Sequence, residues 1–148
     1  MTLPIVFSIA AACTSKENNL HDGFFTAQAD SFGPDSWKDY LTIYVNNGQI
    51  TIVEFDATNL SGFRRSWDMD FQLEANTKHG SRATQSYIAY QSALLTLQDA
   101  SRIQPISGAK RMHQIFTTLA AKAISNSQRN DKSITYVKLP ENYFPGDL

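Results

Sequence analysis

The chain has 148 residues, 42% of them hydrophobic, 11% aromatic and 18% charged, with a formal net charge of -1. That length fits one domain, and that much apolar material excludes an intrinsically disordered chain. Near-neutrality gives no electrostatic reason to expect a nucleic-acid binder, and one cysteine, Cys13, excludes both a disulfide framework and a zinc site built on several thiolates.

The first residues are the most unusual in composition. "LPIVFSIAAAC" (3–13) is an apolar run that closes on three alanines and Cys13, and the polar "TSKENN" follows. The run is too short to span a bilayer as a helix. It looks like the end of a bacterial lipoprotein signal, in which the cysteine becomes the lipidated first residue. The resemblance implies export, lipidation at Cys13 and a membrane anchor on the extracytoplasmic face. Residues 1–21 are read as this segment and its linker, 22–126 as the folded domain, and 127–148 as a polar spacer, a last strand and a tail.

Within the domain, "DGFFTAQA" (22–29) alternates as a strand with one buried face does, and "SFGPDSW" (31–37) is a turn or loop. "DYLTIYVNNGQITIVEFDA" (39–57) is the clearest local signal. Two β-branched and aromatic runs flank Asn47-Gly48, a pair that accepts positive φ at a tight hairpin turn. Alternation places Leu41, Ile43 and Val45 on one face of the first strand. On the second it places Ile50 and Ile52 on one face, Val53 and Phe55 on the other.

Periodicity fails over 58–84, which reads as a long polar connection with two glycines, Trp67 and charges of both signs. It returns in "ATQSYIAYQSALLTLQ" (83–98), where Tyr87, Tyr90, Leu94 and Leu97 form one helical stripe. A second helix follows, with Met112, Ile115, Phe116, Leu119, Ala123 and Ile124 at spacings of three and four. "SNSQRNDKS" (125–133) reads as a polar spacer and "ITYVKL" (134–139) as a last strand. Strands, a long connection, two helices and a strand predict an α+β domain, an antiparallel sheet with a central hairpin packed against two or more helices.

The second of these helices opens on Ser107-Gly108-Ala109-Lys110-Arg111. A serine in front of a helix can cap it, and a glycine lets the backbone approach a ligand. First-turn amides and the helix dipole together make an anion site. Lys110 and Arg111 oppose the dipole in an empty protein, at a few tenths to about 1 kcal/mol each. A bound phosphate turns them into charge-assisted donors. An isolated tripeptide of this kind is more often an ordinary capped helix with solvated cations.

The order of motifs, however, resembles the FMN-binding domain family, in its branch of small cell-envelope lipoproteins. The likeness runs from about Asp22 to Ile124. It comprises a strand like "DGFFTAQA", a loop like "DSWKD", a hairpin like "LTIYVNNGQITIVEFDATN", a "SWDMDF" stretch and a helix like "YIAYQSALLTLQ". "DASRIQPISGAKRMHQIFTTLAAKAI" (99–124) corresponds to the flavin-attachment segment. In members with covalent FMN, the phosphate is joined to a threonine after Ser-Gly-Ala. Here that place is Lys110, which has no hydroxyl, and Thr117 and Thr118 lie about two turns further on.

The resemblance therefore implies one of three things. FMN is held non-covalently with Lys110 and Arg111 on its phosphate, or flavin is absent and the domain is an envelope interaction module, or another anionic molecule binds. With flavin, the implied activity is electron transfer by a carrier rather than a stand-alone enzyme, with an unknown redox partner. Trp37 and Trp67 are then candidates to stack on the isoalloxazine ring, and their plainer role is packing. Arg64 and Arg65 are candidates to assist a phosphate, and their plainer role, the one expected, is as solvated loop charges. His21, His79 and His113 are too scattered for a metal site and are expected at the surface. No acid–base pair or nucleophile constellation supports a hydrolase.

Overall fold

The computed structural model describes residues 19–79 and 82–140; the segment carrying Cys13 lies outside them. The hairpin forms as its sequence demands. Strands β2 (Lys38–Asn46) and β3 (Gln49–Thr58) meet at Asn47 and Gly48, whose φ values of 51° and 69° are both positive, the signature of a type I′ turn. Strand β1 (Gly23–Ala29) pairs antiparallel with β2.

A short strand, β4 (Thr135–Val137), then joins the free side of β1 in parallel, so the order is β3-β2-β1-β4. The expected antiparallel sheet is thus mixed, though mostly antiparallel. The reason is the helix before β4. It carries the chain back to the end of the sheet where β1 begins, and the next strand can only run alongside β1.

One register shift changes which residues are buried. Val45 pairs with Ile50 and Tyr44 with Ile52, so Thr51 is an extra residue between them. This bulge resets the alternation. Ile50 joins Val53 and Phe55 in the core, whereas Ile52 is 52% exposed. The expected pairing of Ile50 with Ile52 on one face is corrected by that single residue.

All the helix packing falls on one face of the sheet. Helix α2 (Arg82–Leu97) lies against β3, and helix α3 (Lys110–Gln128) crosses β1 and β2. Between them and the sheet sit Phe25, Leu41, Ile43, Phe55, Tyr90, Leu94, Phe116 and Leu119. The stretch read as a polar connection holds a 3₁₀ turn (Arg65–Trp67) and helix α1 (Met69–His79). Asp68 starts α1 by accepting the Phe71 N–H at 3.0 Å. Helix α1 packs sideways on α2 and leaves Met69 (78%) and Leu73 (68%) exposed, so it has no buried stripe for periodicity to reveal.

Helix α3 also runs further than its apolar stripe. Asn130, at φ 53°, ends it in a Schellman motif: its N–H bonds Ser127 O (3.0 Å) and the Asp131 N–H bonds Asn126 O (2.9 Å). Asn126 and Ser127, expected in a spacer, are therefore fully buried last-turn residues. Ser127 clasps the start of the domain, with its hydroxyl on His21 O at 2.9 Å. Asn126 Nδ2 donates to Thr26 O of β1 (3.3 Å) and Thr135 Oγ1 of β4 (2.8 Å), and its Oδ1 accepts from Arg129 (2.9 Å). One amide thus joins α3, β1 and β4.

Asn126→Ala removes both donors and leaves a buried strand carbonyl and a small void. We expect a stability loss of about 2–4 kcal/mol at unchanged m-value in urea unfolding. A loss under about 0.5 kcal/mol would mean that the amide is not what joins the three elements.

Candidate anion and cofactor site

The start of α3 is built by a turn and a tyrosine. The Ala109 N–H bonds Ile106 O at 3.0 Å, with Gly108 at φ 79° in the third position, as a type II turn requires. A Cβ on Gly108 would meet nothing within 4 Å, so glycine is needed there for its φ rather than for a close approach. The N-cap residue is Ala109, with no side-chain cap. The expected capping role of Ser107 is thereby corrected: the turn places Ser107 two residues too early. Tyr90, buried in α2, fixes the turn from beneath. Its hydroxyl accepts from the Ile106 N–H (2.9 Å) and donates to Ala109 O (3.1 Å). His113, expected at the surface, is half-buried one turn into α3, with Nε2 at 2.8 Å from Ile103 O. Lys110 is exposed and Arg111 half-buried.

The same end of the sheet holds a buried ion cluster. Arg65, expected as a solvated loop charge, is 7% exposed. Its Nη2 donates to Asp39 Oδ1 at 2.9 Å and to the Tyr87 hydroxyl, and Asp35 lies 4.0 Å from Nη1. Its guanidinium also sits 5.4 Å from the ring centroids of both Phe71 and Tyr87. Burial works against the Arg65 charge, yet Tyr87 and Asp39 hold it protonated more firmly than an ordinary arginine. Burial pushes the Asp39 carboxyl up from its ordinary value, against the pull of Arg65 and, last in strength, of Arg111. The Tyr87 hydroxyl is likewise pushed up to about 12 by burial, against Arg65. Arg111 therefore acts on the same carboxylate from the start of α3.

Consecutive arginines part across the sheet. Arg64 pairs with Glu54 on the face away from the helices, with its guanidinium carbon 6.0 Å from the Tyr40 ring and 5.2 Å from Trp67. Asp56 holds the chain just after them, accepting from the Ser66 hydroxyl (2.6 Å) and N–H (3.2 Å). Of the two tryptophans, Trp67 is 60% exposed beside Phe63, whereas Trp37 is buried in edge contact with Phe71. The structure thus brings Arg111, Asp39 and Arg65 to one end. It leaves Trp37 as packing and puts Trp67 on the outer side with Arg64. Sequence reasoning missed Asp39, Arg65, Tyr87 and Tyr90 as one assembly. The only signal was the polarity of Asp39, Tyr87 and Tyr90 at positions that strand or helix period marks as inward, and Arg65, outside any period, had none.

Among the described residues no three His, Cys, Asp or Glu side chains could hold a metal, and no helix is long and apolar enough to cross a membrane.

No family model matches the chain. It is similar to the 15 kDa lipoprotein of Treponema pallidum (strain Nichols), 22% identical over 115 residues, which cover 78% of this chain and 82% of the relative. Among solved structures, the CPE2226 protein from Clostridium perfringens matches with a TM-score of 0.74 and 24% identity, over 82% of this chain and 99% of that one. A protein from Clostridium thermocellum, solved by NMR, is 22% identical with a TM-score of 0.45, over 80% of this chain and 98% of that one. The Clostridium perfringens protein shares the α+β fold.

Two expectations follow from the cluster and the turn. Tyr90→Phe strips the Ile106–Ala109 turn of its support and should cost about 1–3 kcal/mol, read as a lower melting temperature. A melting curve that overlays the wild type would show that the turn holds itself.

The second concerns pH. A folded Asp39 with a raised pKa binds its proton where the unfolded chain, near 3.8, has released it, so its contribution to stability falls as pH rises through that window. Asp39→Asn keeps an acceptor for Arg65 but does not titrate. The wild type should lose stability relative to this variant as pH rises from the ordinary aspartate value to the raised one, and the difference should be flat above it. A wild type that gains on the variant over that range would refute the assignment.

Proposed function

We propose that this chain is a lipid-anchored protein of a bacterial cell envelope, held by Cys13 on the extracytoplasmic face, whose domain binds FMN non-covalently for electron transfer. The anchoring part is supported by the sequence around Cys13 and by the similarity to a protein named as a lipoprotein.

One observation carries the cofactor part. Helix α3 begins with a glycine turn, without a side-chain cap, and puts Lys110 and Arg111 in its first turn, where the helix dipole disfavours cations. A phosphate at that position receives first-turn N–H groups and two charge-assisted donors. The residues present fit the phosphate end of the ligand. They fit the ring less well, because Trp37 is buried against Phe71 and Trp67 has Arg64 over its face.

Covalent attachment does not fit. Lys110 has no hydroxyl to esterify, and the Thr117 hydroxyl two turns on donates to His113 O at 2.7 Å. When bound, FMN supplies one- or two-electron transfer, and the protein supplies position and charge. Lys110 and Arg111 would hold the phosphate, Tyr90 keeps the turn in place, and Asp39 pairs with Arg65 at the same end of the sheet.

The experiment is a titration of apoprotein with FMN and with riboflavin, which lacks the phosphate. Lys110→Ala should weaken FMN binding by roughly 10- to 100-fold, from the loss of one donor worth about 1.5–3 kcal/mol. Riboflavin should bind poorly and ignore the substitution. The empty variant should be at least as stable as the wild type. Equal FMN affinity for wild type and variant would reduce the two cations to surface charge. A colourless protein with no affinity for either compound would leave an interaction module of the envelope without a cofactor.

A further inference from the structure

The turn that closes the hairpin is the chain's single Asn-Gly pair, and that pair can react with itself. Glycine has no Cβ to screen its own nitrogen, so Gly48 N can approach the side-chain carbonyl carbon of Asn47. In that reaction Gly48 N gives its proton to a base in the solvent and bonds to Asn47 Cγ. The Asn47 side-chain nitrogen leaves as ammonia, and a cyclic imide remains. Water then opens the imide at either carbonyl, giving aspartate or isoaspartate at position 47. The fold depends on the pair, because the turn needs the positive φ values of 51° and 69°. Isoaspartate adds a backbone carbon to a two-residue turn, and the turn sets the pairing of Val45 with Ile50 in the core.

The attacking nitrogen is held by a residue from another strand. The hairpin pairs Asn46 with Gln49, which leaves the Gly48 N–H inside the turn without a ladder partner. It donates instead to Asp22 Oδ1 at 3.0 Å. The neighbours of Asp22 fix it in that position. Leu20 is buried in the core, and His21 is tied to the last turn of α3 through its N–H to Ser127 O (3.3 Å) and its carbonyl to the Ser127 hydroxyl (2.9 Å). On the other side Gly23 begins β1 opposite Val45.

We infer that Asn47 is a site of spontaneous deamidation and that Asp22 is the residue that holds the reaction back. Two effects act together. The hydrogen bond keeps Gly48 N protonated and directs it at Asp22 rather than at Asn47 Cγ. The reaction also passes through a negatively charged Gly48 nitrogen, and a carboxylate at hydrogen-bond distance opposes that charge. Neither effect depends on a bound flavin or on an anchor at Cys13.

The test incubates the full chain in mildly alkaline buffer made with heavy-oxygen water and follows label entering position 47 by peptide mass spectrometry. Folded Asp22→Ala should take up label about tenfold faster than the wild type, the factor that one charge-assisted hydrogen bond supplies. Asparagine is avoided at position 22 because it would create a second Asn-Gly pair before Gly23. In concentrated urea the wild type and Asp22→Ala should react alike, since the unfolded chain brings no carboxylate to Gly48 N. Thermal melts check that Asp22→Ala folds, and Asp22→Ser replaces it if it does not. Asn126→Ala loosens the fold without touching the turn, and its rate should stay near that of the wild type. Equal rates for folded wild type and Asp22→Ala overturn the inference, and so does a slower variant, which would make Asp22 a base for the reaction. A rise in Asn126→Ala as large as in Asp22→Ala would assign the protection to folding as a whole and overturn it too.

Discussion

A guanidinium inside a small domain has to be neutralised where it stands, and much of this structure follows from that. Arg65 lies among Asp39, Tyr87 and Phe71, so strand β2, helix α2 and helix α1 must all converge on one point. Removing one member of such a set leaves an uncompensated buried charge, which costs more than the set contributes as a whole. The loop before it is bound by the same requirement. Asn59 folds that loop by accepting from Ser61 and Phe63, and Asp56 pins Ser66, so Arg65 reaches inward while Arg64 remains outside.

From this point a column of rings leads to the start of α3. Tyr87 stacks on Phe55 at 5.1 Å, Phe55 meets Phe116 edge-on at 5.2 Å, and Phe116 stacks on Tyr90 at 5.6 Å. Tyr90 then holds the glycine turn. The turn is therefore set by the interior rather than by its own loop, and the cations that follow it are presented on a rigid support. Rigidity of that kind limits the entropy lost when a ligand is ordered there.

The elements legible in the sequence were those whose burial follows a period. Strand β2 and helix α3 have clean repeats because each presents one face to the layer opposite, and the Asn47-Gly48 turn is marked by its own residues. Helix α1 has none, since it leans on α2 and leaves Met69 and Leu73 in water. Thr51 is invisible because nothing in its composition distinguishes an extra residue from a paired one. The burial of Asn126 and Arg65 is hidden for a common reason: a polar residue predicts exposure until its partners are known, and Thr26 lies far from Asn126 in the chain, as Asp39 and Tyr87 do from Arg65. At the candidate site, the glycine and the two cations could be read in advance. The tyrosine that positions them could not, because its helical stripe marks it only as core.

The free edge of β3 has a consequence for how the chain behaves in a crowd. Gln98, at φ 57° just past α2, accepts the Ile50 N–H at 2.7 Å and donates to Ile50 O at 2.9 Å, so one side chain imitates a neighbouring strand. At the other end, Asp56 takes the Ala57 N–H at 2.8 Å. An incoming strand thus finds the first and last rungs of the ladder already occupied. Exposed edges are where one chain recruits the next into growing β-stacks. Where copies of the chain are crowded together, those two side chains work against open-ended polymer growth.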